Sequence, residues 1–304
     1  MVRQDMENKK EAAELWPLIQ WRLEYCKRKI NSEGVVESKT DELEGRLPAG
    51  KANLNTSSLY YDALISASYL NKELGGKVSL SKEYKKRAQR MRENIETYFG
   101  RRIDGFDTYS YYKGNKVLRS WICTPLVMGI DERVKGTVQA LFSPRLWTEN
   151  GLLSQEGNNT YWDRSTLYAL RGTFYVGETD KAFDYFKYYS EKRLLGDHVP
   201  YAIEAWPEGE QRHLSAESEF YGRIITEGIF GIRPIGFRKF IMMPHLPSSW
   251  NKMALRKIGA FESDFDIEVV RRKTNNLEIT IKSDNNKINI KKRIKNGASI
   301  VIRL

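Results

Sequence analysis

Cysteine and histidine are scarce in this sequence. Cys26 and Cys123 are the only cysteines in 304 residues, they show no C-x-x-C spacing, and both stand among apolar residues. A disulfide framework and a thiolate metal site are thereby excluded. His198, His213 and His245 are scattered without metal-ligand spacing, and no G-x-S-x-G, Walker or dinucleotide-binding glycine motif occurs. Metal, serine-hydrolase and nucleotide chemistries fall away, so no metal and no cofactor are expected. No run is apolar enough to span a bilayer, and the segment from Met1 to Glu14 is charged where a signal peptide would be apolar. The expectation is a soluble chain without a membrane partner. Its compartment stays open, because a longer parent protein would be compatible with a periplasmic or secreted location.

What is present suits a folded protein. Hydrophobic residues make up 40%, charged residues 29% and aromatics 12%, enough to bury a core in one large unit, or a large one and a small one. The net charge of +11 is concentrated at one end. Between Arg271 and Leu304 there are ten Lys or Arg against two acids, Glu278 and Asp284, which accounts for eight of the eleven positive charges. No aromatic interleaving accompanies them, so solvated strand faces are expected there and nucleic acid is not an expected partner.

Apolar residues recur at threes and fours through Ala12, Trp16, Ile19, Leu23, Cys26 and Ile30, then through Leu59, Ala63, Ala67, Leu70 and Leu74, then through Tyr84, Ala88, Met91, Ile95 and Tyr98. These are three helices with one buried face each, ended by Gly34, Gly75-Gly76 and Gly100. Thr56 or Ser57 is the expected cap of the second. Gly105 to Gly114 reads as a tyrosine-rich loop or hairpin, and shorter helices follow over Ser120–Met128 and Glu132–Phe142. A second helical hairpin carries Leu167, Leu170 and Phe174, then Ala182, Phe186 and Tyr189, and a last helix runs from Ser215 through Phe220 to Gly228. Beyond Gly231 the period becomes two, as in Phe265, Ile267, Val269 and in Leu277, Ile279, Ile281, which predicts antiparallel strands. The predicted organisation is a mainly α domain over residues 1–230 and a small β-sandwich-like domain over 231–304.

Acids, arginines and aromatics gather in three loops between the helices. These are Glu37-Ser38-Lys39-Thr40-Asp41-Glu42-Leu43-Glu44-Gly45-Arg46, Thr160-Tyr161-Trp162-Asp163-Arg164, and Ile203-Glu204-Ala205-Trp206-Pro207-Glu208-Gly209-Glu210-Gln211-Arg212-His213. Tryptophan faces stack on sugar rings, while Arg, Asp and Glu hydrogen-bond hydroxyls. Glycoside hydrolysis needs an acid for the leaving oxygen and, for inversion, a base that activates water from the other face, roughly 6.5–9.5 Å away. On residue types alone, ion pairs that hold long loops together are the competing reading.

The order of these loops resembles the six-hairpin glycosidases built on an (α/α)6 barrel, above all the glucosidase I and trehalase-like group and more loosely the α-L-rhamnosidases. Those enzymes carry a Glu-Ser-Gly-x-Asp-Asn-Ser-x-Arg loop, to which Glu37-Ser38-Lys39-Thr40-Asp41 and Arg46 are similar. Their Tyr-Trp-Arg-Gly segment is similar to Tyr161-Trp162-Asp163-Arg164, and their Glu-x-Tyr-x-Pro-x-x-Gly loop to Glu204 through Gly209. The resemblance implies an inverting glycoside hydrolase acting on an oligosaccharide, with Asp41 as acid, Glu42 or Glu44 as the alternative acid, and Glu204 as base. Arg46, Trp121, Trp162, Asp163, Arg164, Trp206, Glu208, Arg212, His213 and Glu217 are then the expected substrate contacts. Lys39, Glu42 and Asp163 depart from the family pattern, which alters the expected contacts with sugar. A binding barrel without activity, or a phosphorylase on the same fold, are the alternatives. Such a barrel has twelve helices and about eight are legible here, so an N-terminal region of a parent chain is expected to pack on residues 1–230.

Overall fold

The computed structural model describes residues 9–41, 46–194, 215–260, 263–273, 275–283 and 287–304. Helix α1 (Lys9–Arg28) leads through a looping segment to α2 (Leu54–Glu73) and α3 (Val78–Phe99). The cap of α2 differs from the expected one. Asn53 holds it, its side chain accepting a hydrogen bond from the Thr56 N–H at 2.8 Å, so the helix starts two residues before Thr56. An asparagine caps as well as a serine or threonine, and here the apolar period begins one turn earlier, at the fully buried Leu54. Between α2 and α3 the buried Asn71 fixes the turn, donating to the Lys77 carbonyl at 3.0 Å and to Ser81 Oγ at 2.7 Å.

Next comes a hairpin of β1 (Gly100–Ile103) and β2 (Phe106–Tyr109), turning at Asp104-Gly105 with both residues at positive φ. That pair of left-handed residues is the turn a two-residue hairpin demands. A 3-10 turn, Ser120–Cys123, runs into the short α4 (Thr124–Met128), followed by α5 (Val134–Leu141) and the small ribbon β3 (Trp147–Thr148) with β4 (Gly151–Leu152). Helices α6 (Asp163–Tyr175) and α7 (Thr179–Leu194) form the second clear hairpin. Helix α8 (Ser215–Arg223) passes without a break into a π-helical turn, Ile224–Ile229.

At Gly231 the chain leaves helix for strand. Its φ is +60°, and a Cβ there would lie 2.0 Å from the Met243 carbonyl oxygen. Two antiparallel sheets follow. One is built from β5 (Ile232–Gly236), β6 (Lys239–Met242) and the C-terminal β11 (Ile300–Arg303), in the order β11-β6-β5. The other is β10-β9-β8-β7, from β7 (Lys252–Ala260), β8 (Ser263–Arg272), β9 (Asn276–Ser283) and β10 (Asn289–Lys295). Leu277, Ile279 and Ile281 alternate inward along β9, while Glu278 faces out among Arg272 (2.7 Å), Arg293 (2.9 Å) and Lys291 (3.1 Å). Those three cations hold its carboxyl at about 2, well below the ordinary carboxylate value. Three of the ten cations of the C-terminal strands are thus arranged around one acid, and Arg256 on β7 pairs in the same way with Asp266 and Glu268.

One apolar cluster runs from Leu23 on α1 through Trp121, Leu170 and Phe230 to Phe240, Met242 and Ile302. Strands β5 and β6 are tied to α2 by Arg233–Asp62 and Lys239–Glu73 ion pairs. His245, 3% exposed, donates its backbone N–H to the Ile229 carbonyl, and burial brings its imidazole down to about 4. The fold is therefore the one read from the sequence, helical hairpins of a toroid followed by antiparallel β-structure. Among the described residues, no helix is long and apolar enough to cross a membrane.

Candidate active site

The segment between α1 and α2 is stitched to its neighbours by short antiparallel bridges, Ile30 to Val36 and Glu37 to Ala52. Val35 and Val36 are buried and anchor the first of these. The Ser38 N–H donates to the Lys51 carbonyl at 2.9 Å. The Thr40 carbonyl accepts from Ser38 Oγ at 2.5 Å and from Asn53 Nδ2 at 3.3 Å, so the backbone leading to Asp41 is held from two sides. Asn53 thereby caps α2 and positions this loop at once.

Asp41 is half-buried, and its Oδ2 accepts a 2.7 Å hydrogen bond from the Tyr111 hydroxyl. Tyr111 is itself fixed. It is fully buried, its carbonyl accepts from the Leu54 N–H at the start of α2, and its own N–H donates to Asn115 Oδ1 at 3.2 Å. Behind it lies Arg119, 1% exposed, with its guanidinium carbon 5.0 Å from the Tyr111 ring centre and 5.7 Å from that of Tyr112. Arg119 Nη2 donates to the Pro48 carbonyl at 2.8 Å, and its guanidinium is otherwise held between the Tyr111 and Tyr112 rings. Burial lowers the Arg119 pKa from the ordinary guanidinium value, an effect opposed by Tyr111, Tyr112 and the charge of Asp41.

A second group forms where α6 begins. The strand-like arm before it pairs with the Arg119 region, Arg119 to Gln155 and Leu153 to Tyr161, and the Ser154 N–H reaches the Thr160 carbonyl at 2.9 Å. Trp162, 3% exposed, occupies the N-cap of α6, and the guanidinium carbons of Arg46 and Arg164 each lie 5.6 Å from its ring centre. Arg164 also grips Glu217 on α8, its Nε and Nη2 both 2.7 Å from Oε1. Glu217 is fully buried, and among the described residues its Oε2 has no hydrogen-bond partner. A carboxylate removed from water in this way depends on its paired guanidinium, since leaving it unpaired costs several kcal/mol, on the order of 3–5.

One loop joins the two groups: Asp41 meets Tyr111, Arg46 lies over Trp162, and Pro48 receives Arg119. Five residues of fully extended chain reach at most about 18 Å, which bounds the separation of Asp41 from Arg46. The remaining expected contacts occupy other places. Asp163 is 1% exposed and pairs with the equally buried Arg193, whose Nη2 is 3.3 Å from both carboxylate oxygens. The fully buried Tyr189 hydroxyl beside them is pushed well above its ordinary pKa, first by burial and then by the Asp163 charge. Trp121 is fully buried, edge-on to Tyr168 at 5.6 Å. Glu42, Glu44, Glu204, Trp206, Glu208, Arg212 and His213 lie outside the described residues. No sequence motif singles out Asn53 or Arg119, and Tyr111 stands in the sequence only as one member of a tyrosine-rich loop. The one signal for Arg119 is a lone cation inside the apolar stretch Val117-Leu118-Arg119-Ser120-Trp121, a position an arginine takes at a cost unless something holds it.

No protein-family model matches the sequence, and neither does the sequence of any curated protein. Solved structures do match. A GH78-family rhamnosidase from Bacillus sp. GL1 superposes on 92% of this chain with a TM-score of 0.58 and 15% identity, using 30% of its own length. The fold is shared. An α-L-rhamnosidase from Dictyoglumus thermophilum covers 97% of the chain at TM-score 0.55 and 14% identity, over 37% of its own length. A neutral trehalase from Saccharomyces cerevisiae covers 56% at TM-score 0.45 and 17% identity. The chain shares the fold of these two rhamnosidases over their matched parts and spans about a third of their length.

Proposed function

We propose that this chain carries the acid–base pair of a glycoside hydrolase that cleaves an oligosaccharide with inversion. Asp41 protonates the glycosidic oxygen as the bond to the leaving sugar breaks, and Glu204 takes a proton from the water that attacks the anomeric carbon from the opposite face. The two carboxyl groups are then roughly 6.5–9.5 Å apart, leaving room for that water. Arg46 and Arg164 form the cationic wall against which a sugar packs, the buried Trp162 ring backs them, and Glu217 keeps Arg164 in place. Trp206, Glu208, Arg212 and His213 contribute contacts from the loop that bears Glu204.

The observation that supports this reading best is the hydrogen bond from Tyr111 to Asp41. It fixes a half-exposed carboxylate on the loop that also brings Arg46 to Trp162. Fixing an acid in one orientation is the positional requirement of proton transfer, which general acids meet within hydrogen-bond reach of the oxygen they protonate. The relatedness in fold to rhamnosidases adds a class of enzyme in which such chemistry occurs, without naming the sugar.

The test is hydrolysis of a panel of plant and bacterial oligosaccharides by the protein, beside Asp41→Asn and Glu204→Gln. Cleavage by the unsubstituted protein and its loss, about 100-fold or more, in both folded variants is the expected result. Full activity in both variants would show that the pair is misassigned, and binding of sugars without cleavage would favour a binding barrel.

A further inference from the structure

Where the helices meet the sheets, a groove of about 280 Å3 opens to solvent, close to the lower end of the roughly 300–1,000 Å3 of small-ligand sites. One side is the turn into α7, with Glu178, Asp180 and Lys181. The other is Ser248 between β6 and β7, Arg271 at the end of β8 and Asn296 just past β10. Its frame is fixed. Asp180 Oδ1 accepts from the Ser248 N–H at 2.7 Å, while Arg271 donates through Nη2 to the Leu246 and Pro247 carbonyls at 3.0 and 2.8 Å and through Nε to the Trp250 carbonyl at 3.2 Å. Trp250 itself, 36% exposed, packs edge-on against Phe183 of α7 at 4.9 Å. Two acids and two cations line this one space, yet among the described residues none of the four makes an ion pair. The Glu178 carboxylate and the Asn296 amide have no partner among those residues, and the Lys181 ammonium rests 5.9 Å from the Phe142 ring centre.

We propose that this groove binds a neutral oligosaccharide, at a site that shares no residue with the Asp41, Trp162 or Glu204 loops. Three features select that ligand. The charges of the lining cancel, so neither an anion nor a cation finds a complementary potential there. Carboxylates that only accept, a guanidinium that only donates, and an amide and a hydroxyl that do both match sugar hydroxyls, each of which is donor and acceptor at once. Charged groups that could pair across the groove but do not keep their hydrogen-bonding capacity for a ligand. Finally, the exposed Trp250 beside Ser248 and Arg271 supplies an indole against which a sugar ring can pack while its edge stays wet. Junctions between structural units are also where binding sites preferentially form.

The experiment follows amide hydrogen exchange of the protein on addition of xylohexaose, mannohexaose or cellohexaose, with an alginate hexamer as the anionic control. With at least one neutral hexamer, the segments 177–182 and 246–251 should exchange more slowly. Glu178→Ala with Asn296→Ala should raise the sugar concentration needed for half of that protection about tenfold, the loss of two ordinary hydrogen bonds, and should leave the thermal midpoint unchanged, because neither side chain has a partner in the fold among the described residues. Trp250→Phe, which keeps a ring on Phe183, should weaken binding several-fold. Three results would each overturn the proposal: no slowing of these segments with any neutral hexamer, slowing with alginate alone, or slowing that the double substitution leaves intact. The same protection is expected in Asp41→Asn whatever that change does to hydrolysis, so the groove and the acid–base pair stand or fall separately.

Discussion

Tyr111 and Asp41 lie 70 positions apart and meet through one hydrogen bond. Tyr111→Phe removes only the donor, so the expected cost in stability is that of one ordinary hydrogen bond, about 1 kcal/mol in a denaturant midpoint. The expected cost in hydrolysis is larger, about tenfold or more in kcat with KM little changed, since a freed carboxylic acid samples orientations that cannot deliver its proton. An equal fall in stability and activity would instead make Tyr111 a packing residue. Glu278 gives a prediction of a different kind. Its folded carboxyl titrates at about 2 against an ordinary value of 4.5. The favourable interactions of its ionised form are fully present above the unfolded value and fade as pH falls from about 4.5 through about 2. Urea midpoints measured from pH 5 to pH 2 should therefore drop less steeply in Glu278→Gln than in the parent sequence. Of these residues the sequence marks Asp41 by its loop motif. It marks Tyr111 only as one tyrosine in the cluster from Tyr109 to Tyr112, because which ring turns toward which loop is decided by packing between segments distant in sequence.

At the scale of elements, periodicity carried α3, α6 and α7 well, and the strand alternation of β8 and β9 is equally plain. In α2 the expected row Leu59, Ala63, Ala67, Leu70 and Leu74 is not the core face: Leu59 is 41% exposed, and Leu54, Tyr60, Leu64, Ala67 and Asn71 are the buried side, because small and polar residues such as Ser57, Ser68 and Asn71 share it and blur the apolar period. Strands β5, β6, β7 and β10 were less legible. Strand β10 alternates Ile290 and Ile294 within a run of lysine and arginine, and the β7 period is interrupted by a bulge at Lys257, where φ is +54° and the N–H donates to Asp266 Oδ1. A bulge shifts every later side chain to the other face, so a strict period of two fails across it. The pairing of the C-terminal β11 with β6, far back in the chain, also has no local signal. The joint between the helices and the sheets rests on Gly231, whose positive φ and 2.0 Å approach to the Met243 carbonyl leave no place for a side chain. Gly231→Ala is expected to destabilise the protein by about 2–3 kcal/mol in thermal or urea unfolding. A loss under about 0.5 kcal/mol would show that the joint relaxes freely.

For the molecule as a whole, the paired helices and the two sheets share one apolar cluster, and Asp62–Arg233 and Glu73–Lys239 bind the first strands to α2. The described parts of the Asp41 and Trp162 loops therefore rest on a braced scaffold, which is what a site needing fixed carboxylates requires. The toroid itself was legible as a class from the succession of hairpins. The way the first loop brings Asp41 to Tyr111 and Arg46 to Trp162 was not, since it depends on bridges such as Glu37 to Ala52 that carry no sequence motif. The most direct test of the catalytic account is the stereochemistry of the first product. Proton NMR of the fresh hydrolysate, taken before mutarotation, should show the anomer opposite to that of the substrate, and the signal should vanish with Asp41→Asn. A product that retains the substrate's configuration, or an undiminished signal from that variant, would contradict it.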